Sequence, residues 1–387
     1  MAVVTRPILA GGMMEVTIVG AGIVGAAIAR TLAREGCRRV TVCEARFPGG
    51  GATAAGMGHL VVIDDSPTQL ALTARGRALW AEEAASLPRS AEYRRTGTLW
   101  VAADDAEMAD AVAKARRLGA TGIGCDVVDG ATLARREPAL RNGLAGALSV
   151  PDDAVVYAPP VAAAWLAEAV AAGATVRRDS PVVAVDAPGR VRLADGTLLD
   201  GEAVVIATGA AAAALVPGVP VRPRKGHLVI TDRVPGMVRS QLIELGYVNR
   251  AHDVGTDSVA FNVQPRATGQ LLVGSSRQID VADRAIDEAM LGRMLARCLE
   301  FMPALAGVPA IRVWAGLRAA TPDGLPLVGP WPGAAGIWLA TGHEGLGITT
   351  APATAETLVG GLLGRSAPLA AALAPARFED AFTGARA

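Results

Sequence analysis

Residues 14–25, MEVTIVGAGIVG, constrain this chain more than any other stretch. Thr17, Ile18 and Val19 form a β-branched run, and Gly20, Gly22 and Gly25 after it form a G-x-G-x-x-G. The first glycine suits a tight turn, the second lets the backbone approach a pyrophosphate, and the third lets the next helix pack on the strand. Ile23 and Val24 open that helix, residues 26–34 continue it, and Gly36 suits its C-terminal cap. A second strand, residues 40–43, ends on Glu44, with Ala45 behind it. An acid at a strand end roughly 20 residues past the glycines accepts hydrogen bonds from a ribose diol. Strand, glycine turn, helix, strand and acid together specify a parallel βαβ unit that holds a dinucleotide, its anion at a helix N-terminus.

The bulk numbers leave room for much more than one such unit. The chain has 387 residues, 51% of them hydrophobic and 19% charged, so a large core is expected and long disorder is not. Lysine plus arginine equals aspartate plus glutamate, 37 each, which excludes an electrostatic nucleic-acid surface as the organising feature. Cys37, Cys43, Cys125 and Cys298 are far apart with no C-x-x-C, so neither a zinc nor an iron–sulfur site is indicated, and reduced thiols in the cytoplasm are the default. Residues 1–13 lack the apolar core of a signal peptide and read as an extension before the first strand. Residues 203–221 carry no charge, but Gly209, Pro217, Gly218 and Pro220 interrupt them, so they are not read as a membrane span.

Along the chain, residues 45–58 are rich in small residues and glycine. Such a segment presses its backbone against a flat or charged ligand without steric conflict. His59 closes it and lies near the expected site. Helices are read over residues 67–87, 104–118 and 129–137, with a strand at 98–102. This departs from the opening βαβ rhythm and marks an inserted second domain. An amphipathic helix at 159–172 precedes strands at 175–178 and 181–185, and Asp195-Gly196 centres a hairpin. Residues 203–209 then form a wholly apolar strand ending in Ala207-Thr208-Gly209, which suits a central strand whose C-terminal end meets the ligand. Residues 221–313 are strand-rich, with one helix expected over 280–301. Finally, residues 337–348 repeat the opening theme of strand, glycine turn and helix start, which offers a second helix N-terminus to a ligand.

Four separated motifs carry a family resemblance: the fingerprint with Glu44; Thr53-Ala54-Ala55-Gly56-Met57; Ala207-Thr208-Gly209; and Gly316-Leu317-Arg318 through Gly329, followed by Gly342-His343. The chain resembles the FAD-dependent D-amino-acid oxidase superfamily. The branch is that of glycine oxidase, sarcosine oxidase, the catalytic subunit of hydrogen cyanide synthase and D-hydroxyproline dehydrogenase. This implies an α/β fold in which a Rossmann-like FAD-binding domain carries an inserted α+β substrate domain with a large mixed antiparallel sheet plus helices. FAD-binding segments are expected at 14–90, 151–217 and 314–370, and substrate-domain segments at 91–150 and 218–313.

The resemblance also assigns roles. Gly20, Gly22, Ile23, Val24 and Gly25 would hold the FAD pyrophosphate, Glu44 and Ala45 the adenosine ribose, and Val182 or Val183 the adenine. Thr53, Ala54, Ala55, Gly56 and Met57 would lie along the pyrophosphate and flavin, with Ala207, Thr208 and Gly209 beside them. Gly342, Gly345, Leu346, Gly347 and Ile348 would approach the isoalloxazine from the helix side. Arg318 matches the arginine that clamps the substrate carboxylate, and a guanidinium fork suits that task. His343 and His59 join it as candidate catalytic groups. No cysteine aligns with a covalent flavin attachment, which implies non-covalent FAD. No metal is implied.

One departure bears on substrate. Glycine oxidase-like sequences have an arginine and an asparagine after Gly342-His343, where this chain has Glu344, Gly345 and Leu346. That run, with Asp64-Asp65-Ser66-Pro67 and Gln69-Leu70-Ala71-Leu72-Thr73, looks most like the D-hydroxyproline dehydrogenase branch. The expected activity is oxidation of a small or cyclic D-amino or imino acid, with a quinone or a partner flavoprotein or iron–sulfur subunit as electron acceptor. The alternatives are a glycine or sarcosine oxidase-type enzyme that uses oxygen, and a flavin-bearing subunit of a hetero-oligomeric amine dehydrogenase. A homo- or hetero-oligomer is compatible with all three, as is peripheral membrane association of a cytoplasmic protein.

Overall fold

The structure, a computed structural model, describes residues 14–37, 39–63, 65–246 and 257–378. Asp64 and the expected extension at residues 1–13 lie outside them. Two large sheets organise the chain. The first has six strands in the order Leu327–Pro330, Ile337–Thr341, Ala203–Ile206, Glu15–Val19, Arg39–Cys43 and Thr175–Arg177. All neighbours are parallel except the first pair. Ala203–Ile206 is fully buried at the centre, as its unbroken apolar run requires. Helix Ile23–Arg34 packs against both Ala158–Ala171 and Gly347–Leu362. Rossmann-like winding is therefore assembled from three separated stretches of sequence.

The second sheet has eight strands in the order Ala310–Ala320, Arg222–Thr231, Leu271–Ile279, Ser258–Pro265, Gln241–Glu244, Thr98–Ala102, Gly146–Val150 and Asp126–Asp129. It is antiparallel apart from the pairing of Gln241–Glu244 with Thr98–Ala102. Helix Glu288–Phe301 covers it through Met290, Met294, Cys298 and Phe301, a stripe at helical spacing. Phe301 stacks on Phe261 with ring centroids 4.8 Å apart.

Three details differ from the sequence reading. The helix expected over 280–301 begins only at Glu288. Asp287 accepts a hydrogen bond from the Met290 N–H as its N-cap, Asp283 bonds the Ala285 N–H, and Asp280 is left-handed at φ 55°. These local side-chain bonds compete with helix and leave 280–287 as an irregular strap. The boundary drawn between 313 and 314 falls inside Ala310–Ala320, which pairs along its length with Arg222–Thr231. The glycine-rich segment after Glu44 contains a short helix, Gly51–Ala55. Gly316 explains how that helix sits so near the second sheet: a Cβ there would stand 2.5 Å from the Ala55 Cβ. Trp314 fastens the approach by donating to the Ala55 carbonyl at 3.1 Å. Among the described residues no helix is long and apolar enough to cross a membrane.

Candidate active site

A cavity of about 1060 Å³ runs from the carboxyl ends of the parallel strands to the face of the second sheet. That edge is where open α/β sheets bind ligands. Its floor is the opening fingerprint. Gly20 has φ +103° and a Cβ there would meet the Ala207 carbonyl at 2.7 Å, so only glycine lets the two strand ends lie side by side. Gly25 does not line the cavity. A Cβ on it would stand 2.0 Å from the Gly20 carbonyl, so its work is the close packing of helix on turn.

Glu44 lines the cavity and also holds the turn. Its carboxylate accepts from the Ala21 N–H and the Arg46 N–H, both at 2.9 Å. Thr53 acts in a similar way, its hydroxyl accepting from the Ile23 N–H at 3.0 Å. Neither Gly22 nor Leu346, the N-caps of Ile23–Arg34 and Gly347–Leu362, supplies a side-chain cap. Two helix N-termini therefore open on one cavity, each a ready site for negative charge. Thr208, between them, keeps a buried hydroxyl with no hydrogen-bond partner among the described residues. A long dianionic ligand such as FAD fits this volume and these donors.

Of the other residues expected around the cofactor, Ala45, Ala55, Gly56, Met57, Val182, Ala207, Gly209, Gly345, Gly347 and Ile348 line the cavity. Ala54, Val183 and Gly342 do not. Val183 is 52% exposed on the outer face of its strand, so Val182 is the member of that pair nearest a ligand. Gly342 makes the tight turn before His343, where a Cβ would strike Thr321 at 2.5 Å.

The far wall is built by three arginines around one carboxylate. Arg318 and Arg224 stand directly opposite each other on Ala310–Ala320 and Arg222–Thr231. Like charges so placed repel. Glu344 offsets the repulsion: Arg224 donates to its carboxylate at 2.9 Å and Arg277 lies 3.6 Å away. Burial raises the Glu344 pKa, but Arg277, Arg318 and Arg224 outweigh it and hold the carboxyl below its usual range. Arg318 donates one N–H to the Ser276 carbonyl at 2.9 Å, which fixes its plane at the cavity wall. Gly226 makes the space, since a Cβ there would stand 2.4 Å from the Arg318 Nη1. Arg224 and Arg277 were not singled out from sequence. Their only signal was alternation along two strands, which carries no information until the register is known.

The two histidines line the cavity but are poorly suited to proton transfer. Burial, with Arg318 adding to it, pushes His59 down to about 3. Burial alone pushes His343 down to about 4, and its Nε2 meets the Thr354 hydroxyl at 3.0 Å. Both are therefore neutral at pH 7. The His343 ring is engaged by the Thr354 hydroxyl, which ties the Gly342 turn to helix Gly347–Leu362.

A sequence model of the family described as DAO, FAD dependent oxidoreductase, matches residues 15–360. The chain belongs to this family of FAD-dependent amino-acid oxidoreductases. It is 31% identical to the glycine oxidase of Geobacillus kaustophilus, covering 88% of this chain and 90% of that one. It is 30% identical to a D-amino acid dehydrogenase of Ralstonia nicotianae, covering 93% and 98%. The crystal structure of the Geobacillus kaustophilus glycine oxidase superposes with a TM-score of 0.84 over 95% of this chain and 99% of that chain, at 26% identity. FAD is thus the cofactor of the family to which the cavity belongs, and the reaction class is oxidation at an amino-acid C–N bond.

Proposed function

We propose that this protein oxidises a small or cyclic D-amino acid of the D-hydroxyproline or D-proline type, and does so as a dehydrogenase. The observation that carries the reading is Arg318. A guanidinium fixed by the Ser276 carbonyl at the cavity wall is a fork for a substrate carboxylate. Met57, Trp100, Leu228 and Ile243 line the same cavity and suit a compact apolar ring. Asn262 and Ser275, also on its wall, each keep a side-chain oxygen without a hydrogen-bond partner among the described residues, which favours a ring that carries a hydroxyl.

Bound FAD supplies the hydride acceptor. The chain's own contribution is orientation: Arg318 holds the carboxylate so that the Cα–H faces one direction, and the neutral His59 and His343 leave the amine proton alone. The N-terminus of Gly347–Leu362 favours negative charge at the cofactor. The kinship with a D-amino acid dehydrogenase supports an acceptor other than oxygen, such as a quinone or a partner redox protein. The kinship with glycine oxidases keeps an oxygen-using glycine or sarcosine enzyme as the second reading.

Anaerobic mixing of the holoenzyme with cis-4-hydroxy-D-proline, D-proline, glycine and sarcosine separates them. Bleaching of the visible flavin band by the cyclic D-imino acids, with slow recovery in air, is the expected result. Bleaching by glycine or sarcosine with fast recovery would replace it with the oxidase reading.

A further inference from the structure

Arg318 reaches further over the second sheet than its place on an edge strand suggests. Its guanidinium passes over Gly226, where a Cβ would stand 2.4 Å from Nη1, and donates to the Ser276 carbonyl two strands away at 2.9 Å. A substrate carboxylate held there lies above strand Leu271–Ile279, which also carries Ser275. The next strand, Ser258–Pro265, carries Asn262 opposite Gly274 and diagonal to Ser275. Neighbouring strands lie about 4.8 Å apart, so Asn262 stands roughly one ring's width past the clamp.

Asn262 belongs to a row that crosses four strands: Gly274, Asn262, Ile243 and Trp100, each opposite the next. Its side-chain amide is the one strongly polar group between apolar neighbours. Leu228 and Met57 close the Gly274 end, since a Cβ on that glycine would stand 2.5 Å from the Leu228 Cδ2 and 3.6 Å from the Met57 Sδ. Asn262 and Ser275 are only 6% and 4% exposed, and both line the cavity. The Asn262 Oδ1 and the Ser275 Oγ nonetheless have no hydrogen-bond partner among the described residues. Gln264 and Gln278 on the same two strands also keep such an oxygen, but neither lines the cavity. Buried polar groups are costly to leave unpaired, and these two face the space a substrate enters.

Their chemistry defines what fits. Oδ1 only accepts, and a serine hydroxyl donates. A hydroxyl gives one hydrogen bond and takes another, so it answers both groups at once. A carboxylate has no proton for Oδ1, and an ammonium has no lone pair for the Ser275 proton. We propose that Asn262, with Ser275 beside it, is a specificity subsite for a hydroxyl on the ring edge away from the carboxylate, so that the enzyme selects a hydroxylated ring over the bare one. The inference rests on the amino-acid oxidation proposed above and narrows its substrate to one class. Selection comes from what the bare ring leaves behind. It covers Asn262 and Ser275 without pairing either, and a site built to bond a hydroxyl rejects the analogue that lacks it. Both groups sit on one wall, so only the epimer whose hydroxyl faces the sheet is read.

The experiment compares kcat/KM for the two 4-hydroxy-D-proline epimers, D-proline and D-alanine in wild type, Asn262→Leu and Ser275→Ala, each holoenzyme matched to the wild-type flavin spectrum. In wild type, one epimer should exceed both D-proline and the other epimer about 10- to 100-fold, the scale of one unpaired buried group. Asn262→Leu, apolar and similar in shape, should bring that ratio to about one. Ser275→Ala, the gentler change, should lower it part of the way. A merely structural role for Asn262 would depress all four substrates together and leave the ratio unchanged.

A second readout needs no turnover. Tetrahydrofuran-2-carboxylate and the epimers of its 4-hydroxy form lack the amine, cannot become imines, and report binding through the flavin absorption band. One hydroxy epimer should bind wild type more tightly than the parent by a similar factor, and Asn262→Leu should bind the two alike. A wild-type ratio of about one, or a ratio that survives Asn262→Leu, would overturn the subsite while leaving the amino-acid oxidation intact. A flavin reduced by no member of the panel would overturn the function itself, and the binding ratio would still decide the subsite.

Discussion

Arg318 can work only because Gly226, diagonal to it on the facing strand, has no side chain. A Cβ at position 226 would stand 2.4 Å from the Arg318 Nη1 and 2.8 Å from the Ser276 carbonyl that orients it. Gly226→Ala should therefore displace the guanidinium without touching the cofactor end of the cavity. Losing a charge-assisted hydrogen bond costs about 1.5–3 kcal/mol, so kcat/KM should fall about 10- to 100-fold while the flavin spectrum stays at wild type. Steady-state kinetics beside an absorbance spectrum checks this, and unchanged kinetics would mean that the Ser276 contact does not set the Arg318 pose. At this scale the sequence was half legible. Arg318 stood out through Gly316-Leu317-Arg318, but Arg224 was one arginine among many until strand register placed it opposite. Glu344 was visible as a departure, and its partners were not.

Among elements, the opening strand–turn–helix was legible because each part has a local cause. Gly20 needs positive φ, Gly25 needs to have no Cβ, and the β-branched strand needs none of its neighbours to be recognised. The strap at 280–287 was not legible, since Asp280 bonds the Arg222 guanidinium while Asp283 and Asp287 accept from backbone N–H groups, side-chain bonds that a helical pattern hides. Two glycines separate packing from propensity. Gly25→Ala forces a Cβ to within 2.0 Å of the Gly20 carbonyl, which must move the turn that opens the pyrophosphate end. Purified Gly25→Ala protein should carry much less FAD per chain, read as the ratio of flavin to protein absorbance. Gly292 lies exposed in helix Glu288–Phe301, and a Cβ there meets nothing within 4 Å. Gly292→Ala should instead stabilise the fold by about 0.5–1 kcal/mol through the unfolded chain, with normal FAD content, as a small rise in Tm. Equal FAD loss in both would show that the Gly25 contact is not special.

For the whole molecule, one cavity is closed by two sheets whose strands interleave along the chain, and its walls bury titratable groups that make stability depend on pH. His59 and His343 have folded-state pKa values of about 3 and about 4, below the ordinary 6.5 that they regain on unfolding. Above pH 6.5 neither state binds the proton, so these groups do not bias folding. As pH falls below 6.5 the unfolded chain takes up protons that the folded protein refuses, and stability is lost until the folded values are reached. Asp153 has the opposite sign. Burial raises it to about 6 from the ordinary 3.8, so cooling the solution's alkalinity from pH 6 towards 4 restores stability. At about 1.36 kcal/mol per unit, the histidines together forfeit about 4 kcal/mol between pH 6.5 and 5, and Asp153 returns only about 1 kcal/mol. The net expectation is a clear fall in Tm over that range. His343→Gln keeps a polar partner for Thr354 without a titrating ring, so the difference between its Tm–pH curve and that of wild type isolates one histidine. The two curves should run parallel above pH 7 and converge or cross as pH drops towards 5. Parallel curves throughout would mean that the His343 ring reaches solvent in the folded protein, and the packing that ties the Gly342 turn to helix Gly347–Leu362 would have to be redrawn.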